Sequence, residues 1–163
     1  MWQSKFDELK SVVHAFIEDN ENILDQIKKI AHGQTILVIF DDMINSKFLI
    51  GISTLFTVHA RHLNMSMVFL TQRMFVNNEY FRQISQNCDY LCLFKNHRNS
   101  SEIRTLAQQL TPGSLELIDI YKEATKSPFS YLLINLTQEC KSKIRYISNI
   151  FDENHSIKVY QLQ

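Results

Sequence analysis

Thr35–Asp42 reads TILVIFDD, a threonine and five apolar residues ending in two adjacent carboxylates. A run this short and this rich in Ile and Val predicts a strand buried on both faces, the kind found inside a parallel sheet. Charged groups at its C-terminal end fall in the crevice where open α/β sheets place their ligands. Two neighbouring carboxylates repel each other, so the pair is a costly way merely to meet water. Its chemical use is specific. One carboxylate can hold Mg²⁺, directly or through water, near phosphate oxygens, and the second can orient or deprotonate an attacking water. No glycine-rich phosphate loop accompanies them: Gly33, Gly51 and Gly113 are isolated, and none precedes Gly-Lys-Ser/Thr.

Outward from this strand the pattern alternates. Gln3–Lys10 reads as a short helix with Phe6 and Leu9 on one face, and Val12–Ile17 fits a strand or a continuation of that helix. Asn20 or Asn22 caps a helix running to about His32, with Gly33 as its stop. After Thr35–Phe40, Asn45 or Ser46 caps a helix carrying Phe48, Leu49, Ile52, Leu55 and Phe56 at helical spacing. Met65–Leu70 is a second buried strand. A helical stretch near Asn78–Ser85 leads to a third strand, Asp89–Phe94. Helices Ser100–Leu110 and Ser114–Thr125 flank a Pro112-Gly113 turn. Phe129–Leu136 is a fourth strand, and the tail adds one near Ile157–Leu162. Such alternation builds a parallel sheet wrapped by helices.

The chain of 163 residues reads as a single domain large enough to bury a core without disulfides. Lys+Arg and Asp+Glu both number 17, so no basic surplus argues for nucleic-acid binding by bulk charge. Three cysteines, Cys88, Cys92 and Cys140, form an odd set that fits a reducing, intracellular compartment. No segment is apolar over the roughly 20 residues a bilayer requires, and the N-terminus is unlike a signal peptide.

Three consecutive strands end in polar residues: Asp41-Asp42, Thr71-Gln72 and Lys95-Asn96. Were all three parallel, these tips would line one edge of the sheet and converge on one ligand. The plain alternative is that strand exits simply meet solvent. A glutamine on the neighbouring tip can position water or contact a terminal phosphate, so Asp41, Asp42 and Gln72 fit metal, base and sensor roles in that order.

The stretches TILVIFDDMI, LFTVHARHLNMSMVFLTQRMF and YLCLFKNHRNSSEIRTLAQQL resemble, in order and spacing, an FtsK/HerA-like DNA-packaging ATPase of double-stranded DNA viruses and Polinton/Maverick-type elements. WQSKFDELK and YKEATKSPFSYLLINL extend the resemblance from about Trp2 to about Asp152. It implies an α/β, RecA/ASCE-like P-loop NTPase sheet flanked by helices, here incomplete, with residues 1–163 as a single partial ATPase domain. Asp41 would be the Mg²⁺-linked carboxylate of the Walker B strand, Asp42 the water-activating carboxylate and Gln72 the sensor glutamine, with ATP and Mg²⁺ as cofactors. The implied partners are double-stranded DNA, a capsid or portal vertex and further copies in a ring, with no membrane. The implied setting is a host nucleus or cytoplasmic virus factory, or the virion.

Three departures accompany the resemblance. Arg61-His62 replaces a common histidine pair, and Phe94-Lys95-Asn96-His97-Arg98 replaces Phe-Lys-Asn-Pro-Arg. The family's phosphate loop belongs upstream of Trp2, so the chain alone is expected to lack hydrolysis. The strand of that loop would lie between Met65–Leu70 and Asp89–Phe94. The expectation is that those two strands pair directly or take the missing piece in trans.

Ring translocases insert an arginine into the neighbour's site; Arg73, directly after Gln72, is favoured over Arg61 and Arg98, and an ordinary surface arginine is the alternative for each. His59 and His62 lack a third metal ligand nearby, and Cys88 and Cys92 lack the second pair a zinc site needs. Two other readings compete. One is a non-catalytic, domesticated or decayed interaction module that assembles with full-length ATPase subunits. The other is a phosphoacceptor receiver domain using Asp41-Asp42, Thr71 and Lys95, which fails because no Asp lies between residues 42 and 71.

Overall fold

The computed structural model describes residues 25–27, 29, 35–59, 65–98, 100–151 and 156–162. Expectations for Gln3–Lys10, Val12–Ile17 and the caps at Asn20 and Asn22 lie outside these residues; positions 25–27 and 29 are helical. The chain is α/β and divides into two compact units, Met1–Asn87 and Cys88–Gln163.

In the first unit, β1 (Ile36–Asp41) and β2 (Met65–Leu70) pair in parallel, with Ile36 opposite Met65 and Asp41 opposite Leu70. The connection is helical: α1 (Leu49–Thr54) continues as a π-helical turn, Leu55–His59. The cap falls at Phe48, and the Ser46 hydroxyl accepts the Phe48 N–H at 3.0 Å. After β2 comes α2 (Glu79–Gln86), capped by Asn78, whose side chain accepts the N–H groups of Tyr80 and Phe81. Ser53 is buried on α1 and donates to the Gln83 side-chain Oε1 on α2 at 2.6 Å. A buried hydroxyl needs such a partner, and this bond ties the two helices together.

Four rings hold the helices to one face of the sheet. Phe40 and Phe69, from adjacent strands, lie 6.2 Å apart, with Phe56 at 6.1 and 6.4 Å from them and Phe81 at 5.7 Å from Phe69. The opposite face departs from the sequence expectation. Leu37, Ile39, Val68 and Leu70 remain 57%, 50%, 38% and 46% exposed. The hydrophobic run reads as doubly buried because residues of both parities are apolar, but α1 and α2 cover only one parity.

The second unit is a four-stranded antiparallel sheet in the order β3 (Tyr90–Phe94), β4 (Tyr131–Asn135), β5 (Tyr146–Ser148), β6 (Lys158–Tyr160). This corrects the expectation of one parallel sheet, and the connections explain it. One helical excursion between β1 and β2 returns the chain to the starting edge, giving parallel strands. Two helices, α3 (Ser100–Leu110) and α4 (Glu116–Ala124), reverse it twice and deliver β4 antiparallel to β3. Among the described residues β2 ladders with β1 and β3 with β4, so of the two expected outcomes direct pairing of Met65–Leu70 with the third strand is not seen.

The turn between α3 and α4 forms as expected, with Gly113 at φ 86°, a conformation costly for residues with a Cβ. β4 starts later than expected because residues 127–130 turn, Phe129 adopting φ 63° and Ser130 N–H bonding to the Ser127 carbonyl. Leu93, Leu132, Ile134 and Tyr146 share the buried face of the sheet, Ile103, Leu106, Ala107, Leu117 and Ala124 are the buried residues of the two helices, and α4 packs against β4. Tyr121 fixes the exit of β3: its hydroxyl donates to the Phe94 carbonyl and accepts the Asn96 N–H, both at 3.0 Å. Removing that hydroxyl leaves two main-chain groups unpaired, so Tyr121→Phe should lower the unfolding free energy by about 1–2 kcal/mol. Urea denaturation checks this; an unchanged midpoint refutes it.

Candidate functional site

The site is built on the parallel pair. Asp41 is the last residue of β1 and Leu70 the last of β2, so both strands end level. The ladder extends one rung further, from Asp42 N–H to the Leu70 carbonyl at 3.1 Å. The residues after both strands therefore leave from one edge, the C-terminal edge that carries ligands in open α/β sheets.

Asp41 and Asp42 are both exposed. Asp42 is left-handed, with φ 53° and ψ 30°, a region Asp enters more readily than most L residues but still at a cost. It precedes the short 3₁₀ turn Met43–Asn45 in the capping position, yet its carboxylate makes no cap hydrogen bond. Neither carboxylate is ion-paired among the described residues, where the recorded ion pair is Lys122 with Asp119. A strained backbone presenting an uncommitted carboxylate is a feature that clusters at ligand sites.

Past β2 the chain turns around Thr71. Its hydroxyl donates to the Arg73 carbonyl at 3.1 Å and accepts the Arg73 N–H at 3.2 Å, which places Gln72 at the apex of the turn. Gln72 and Arg73 are exposed. The structure thus puts Asp41, Asp42, Gln72 and Arg73 on one edge of one small sheet. The sequence missed how Gln72 is presented, although a threonine at a strand exit is a recognisable signal for such a turn. The left-handed Asp42 had no signal at all.

The remaining candidates fall elsewhere. Lys95 and Asn96 belong to the second unit, where the Asn96 side chain accepts the Arg98 N–H at 2.9 Å. Arg98 is exposed. Arg61, His62 and the His59 side chain lie outside the described residues. Among the described residues no group of three or more His, Cys, Asp or Glu could hold a metal ion. Two carboxylates nevertheless suit Mg²⁺, which takes hard oxygen donors and retains several waters alongside one or two protein ligands and substrate phosphates. No described helix is long and apolar enough to cross a membrane.

The match to known families, over residues 4–161, is to viral DNA-packaging ATPases, the class that uses ATP and Mg²⁺ and meets DNA and capsid. Within that class the chain belongs to the poxvirus A32 protein family. No curated protein and no solved structure matches it.

Two measurements test the local chemistry. Asp42→Gly removes a Cβ from a left-handed position and should leave the chain about 0.5 kcal/mol more stable, whereas Asp42→Val should cost about 1–2 kcal/mol. Paired denaturation curves decide it, and a destabilised glycine variant would contradict the strain. Cys88, next to β3 and in no disulfide, has its thiol pushed up to about 11 by burial and then by Asp89. The raised value means its stabilising contribution is intact below pH 9 and is lost as pH climbs toward 11. Iodoacetamide at pH 8 should therefore modify Cys88 much more slowly in the folded chain than in urea, as peptide mapping would show.

Proposed function

We propose that this chain supplies the metal- and water-handling half of the nucleotide site in an ATP-driven motor that packages double-stranded viral DNA. On this reading residues 1–163 form one partial ATPase domain with a RecA-like ancestry, and the phosphate loop comes from polypeptide upstream of Trp2. Asp41 holds Mg²⁺, and Asp42 accepts a proton from the attacking water or orients it. Gln72 positions that water against the terminal phosphate, and Arg73 reaches the site of a neighbouring copy in a ring. Bound Mg²⁺ neutralises charge on the transferring phosphate oxygens. The motor would act on DNA at a capsid or portal vertex in a cytoplasmic virus factory.

The observation that carries this reading is the uncommitted pair Asp41-Asp42 at the same sheet edge as Gln72, in a chain of the poxvirus A32 family. Both carboxylates are exposed and neither has an ion pair among the described residues, which leaves them available to a cation.

The test compares ATP hydrolysis by the chain alone and by the chain extended upstream with the Gly-x4-Gly-Lys-Thr segment of an A32-type protein. Turnover should require the extension. In the extended protein Asp42→Asn should lower kcat by about 10²–10⁴-fold, the range of a lost general base. Asp41→Asn should instead raise the Mg²⁺ concentration needed for half-maximal rate. Full turnover surviving Asp42→Asn would end the assignment.

A further inference from the structure

The second unit contains a cavity of about 380 Å³ that none of the preceding chemistry uses. Its walls come from three separate segments: Leu110 and Thr111 at the end of α3, Lys143 and Arg145 ahead of β5, and Gln161 and Leu162 after β6. Among the described residues no Asp or Glu lines it. Among the described residues neither Lys143 nor Arg145 forms an ion pair, and the buried Arg145 Nε has no hydrogen-bond partner there.

That combination is costly without a ligand. A buried guanidinium N–H left unpaired forfeits its hydration with nothing in return, and native structures rarely leave such a group unexplained. Cations do favour helix C-termini, where the last carbonyls concentrate negative charge. That explanation is weak here, because α3 is closed by its own residues. Thr111 donates both its N–H and its hydroxyl to the Ala107 carbonyl, each at 2.8 Å, and its own carbonyl accepts the Ser114 N–H. The Ala107 carbonyl is therefore capped without the cations.

We infer that this cavity is a binding site for a phosphate monoester of a small organic molecule, of mononucleotide size. Charge complementarity supports it: two unpaired cations match the two negative charges of a monoester, and a planar guanidinium presents parallel donors to phosphate oxygens. Gln161 adds a neutral hydrogen-bond donor. Leu110, Leu162 and the buried Tyr146 provide apolar surface for the organic body. The volume lies within the usual range for small-molecule sites, about 300–1,000 Å³. The site is made of cations rather than carboxylates, so it takes phosphate without Mg²⁺. This separates it from the edge at Asp41, and the inference stands whether or not that edge hydrolyses ATP.

The experiment follows the Arg145 Nε–H resonance by NMR in the intact chain, in EDTA, during separate titrations with inorganic phosphate, adenosine monophosphate and a short DNA duplex. Adenosine monophosphate should move that resonance saturably, and inorganic phosphate should do so more weakly. Arg145→Gln should weaken binding, followed by a tyrosine or methyl resonance, by at least about tenfold. Lys143→Ala, at an exposed position that folding does not require, should weaken it by several-fold. Asp41→Ala should change nothing. No movement with adenosine monophosphate up to about 10 mM, a level that reaches even weak sites, overturns the inference. A response to the duplex alone overturns it too, since the phosphate recognised would then be a backbone diester.

Discussion

The candidate site in the first unit depends on the parallel ladder between β1 and β2. Its register brings Asp41 level with Leu70, and the last rung, from Asp42 to Leu70, fixes where the acidic chain departs. A one-residue slip would send Asp41 to the opposite face and bring the buried ring of Phe40 out of the aromatic cluster. The four phenylalanines therefore do more than fill space. Their contact with α1 and α2 selects the register that places the carboxylates, the Thr71 turn and Gln72 on one edge.

Much of this was legible in sequence where a signal is local. Met65–Leu70 and Ser100–Leu110 have the bounds the apolar pattern assigns, and Asn78 opens α2 because its side chain can bond two main-chain N–H groups. The polar strand tips were also local, so Asp41, Asp42 and Gln72 could be named before their arrangement was known. What sequence did not carry was direction and cover. Strand polarity in the second sheet follows from the two helices between β3 and β4, and pattern alone does not say that they reverse the chain twice. β5 is three residues long, too short for any periodicity to reveal. Leu37 and Ile39 look like core residues from composition, and only the placement of the helices shows which parity is covered.

The cavity around Arg145 illustrates the other limit. Its walls come from segments between residues 110 and 162 that share no motif, so the cavity exists only in three dimensions although Lys143 and Arg145 are near neighbours in sequence. Net charge pointed away from it. Equal numbers of acidic and basic residues conceal a local excess wherever one sign gathers without the other.

The uncovered face of β1 and β2 reaches as far as the acidic edge, because Asp41 alternates with Leu37 and Ile39 along the strand. Whatever settles on that apolar surface, from this chain or another, displaces water from one side of the Asp41 carboxylate. Coulombic attraction for a cation strengthens as the surrounding dielectric falls. On the proposed reading, burial of the face and ion capture at the edge would be thermodynamically linked, the Coulombic gain set against the cost of desolvating both charges. Assembly on that face would then change how strongly the edge holds its ion.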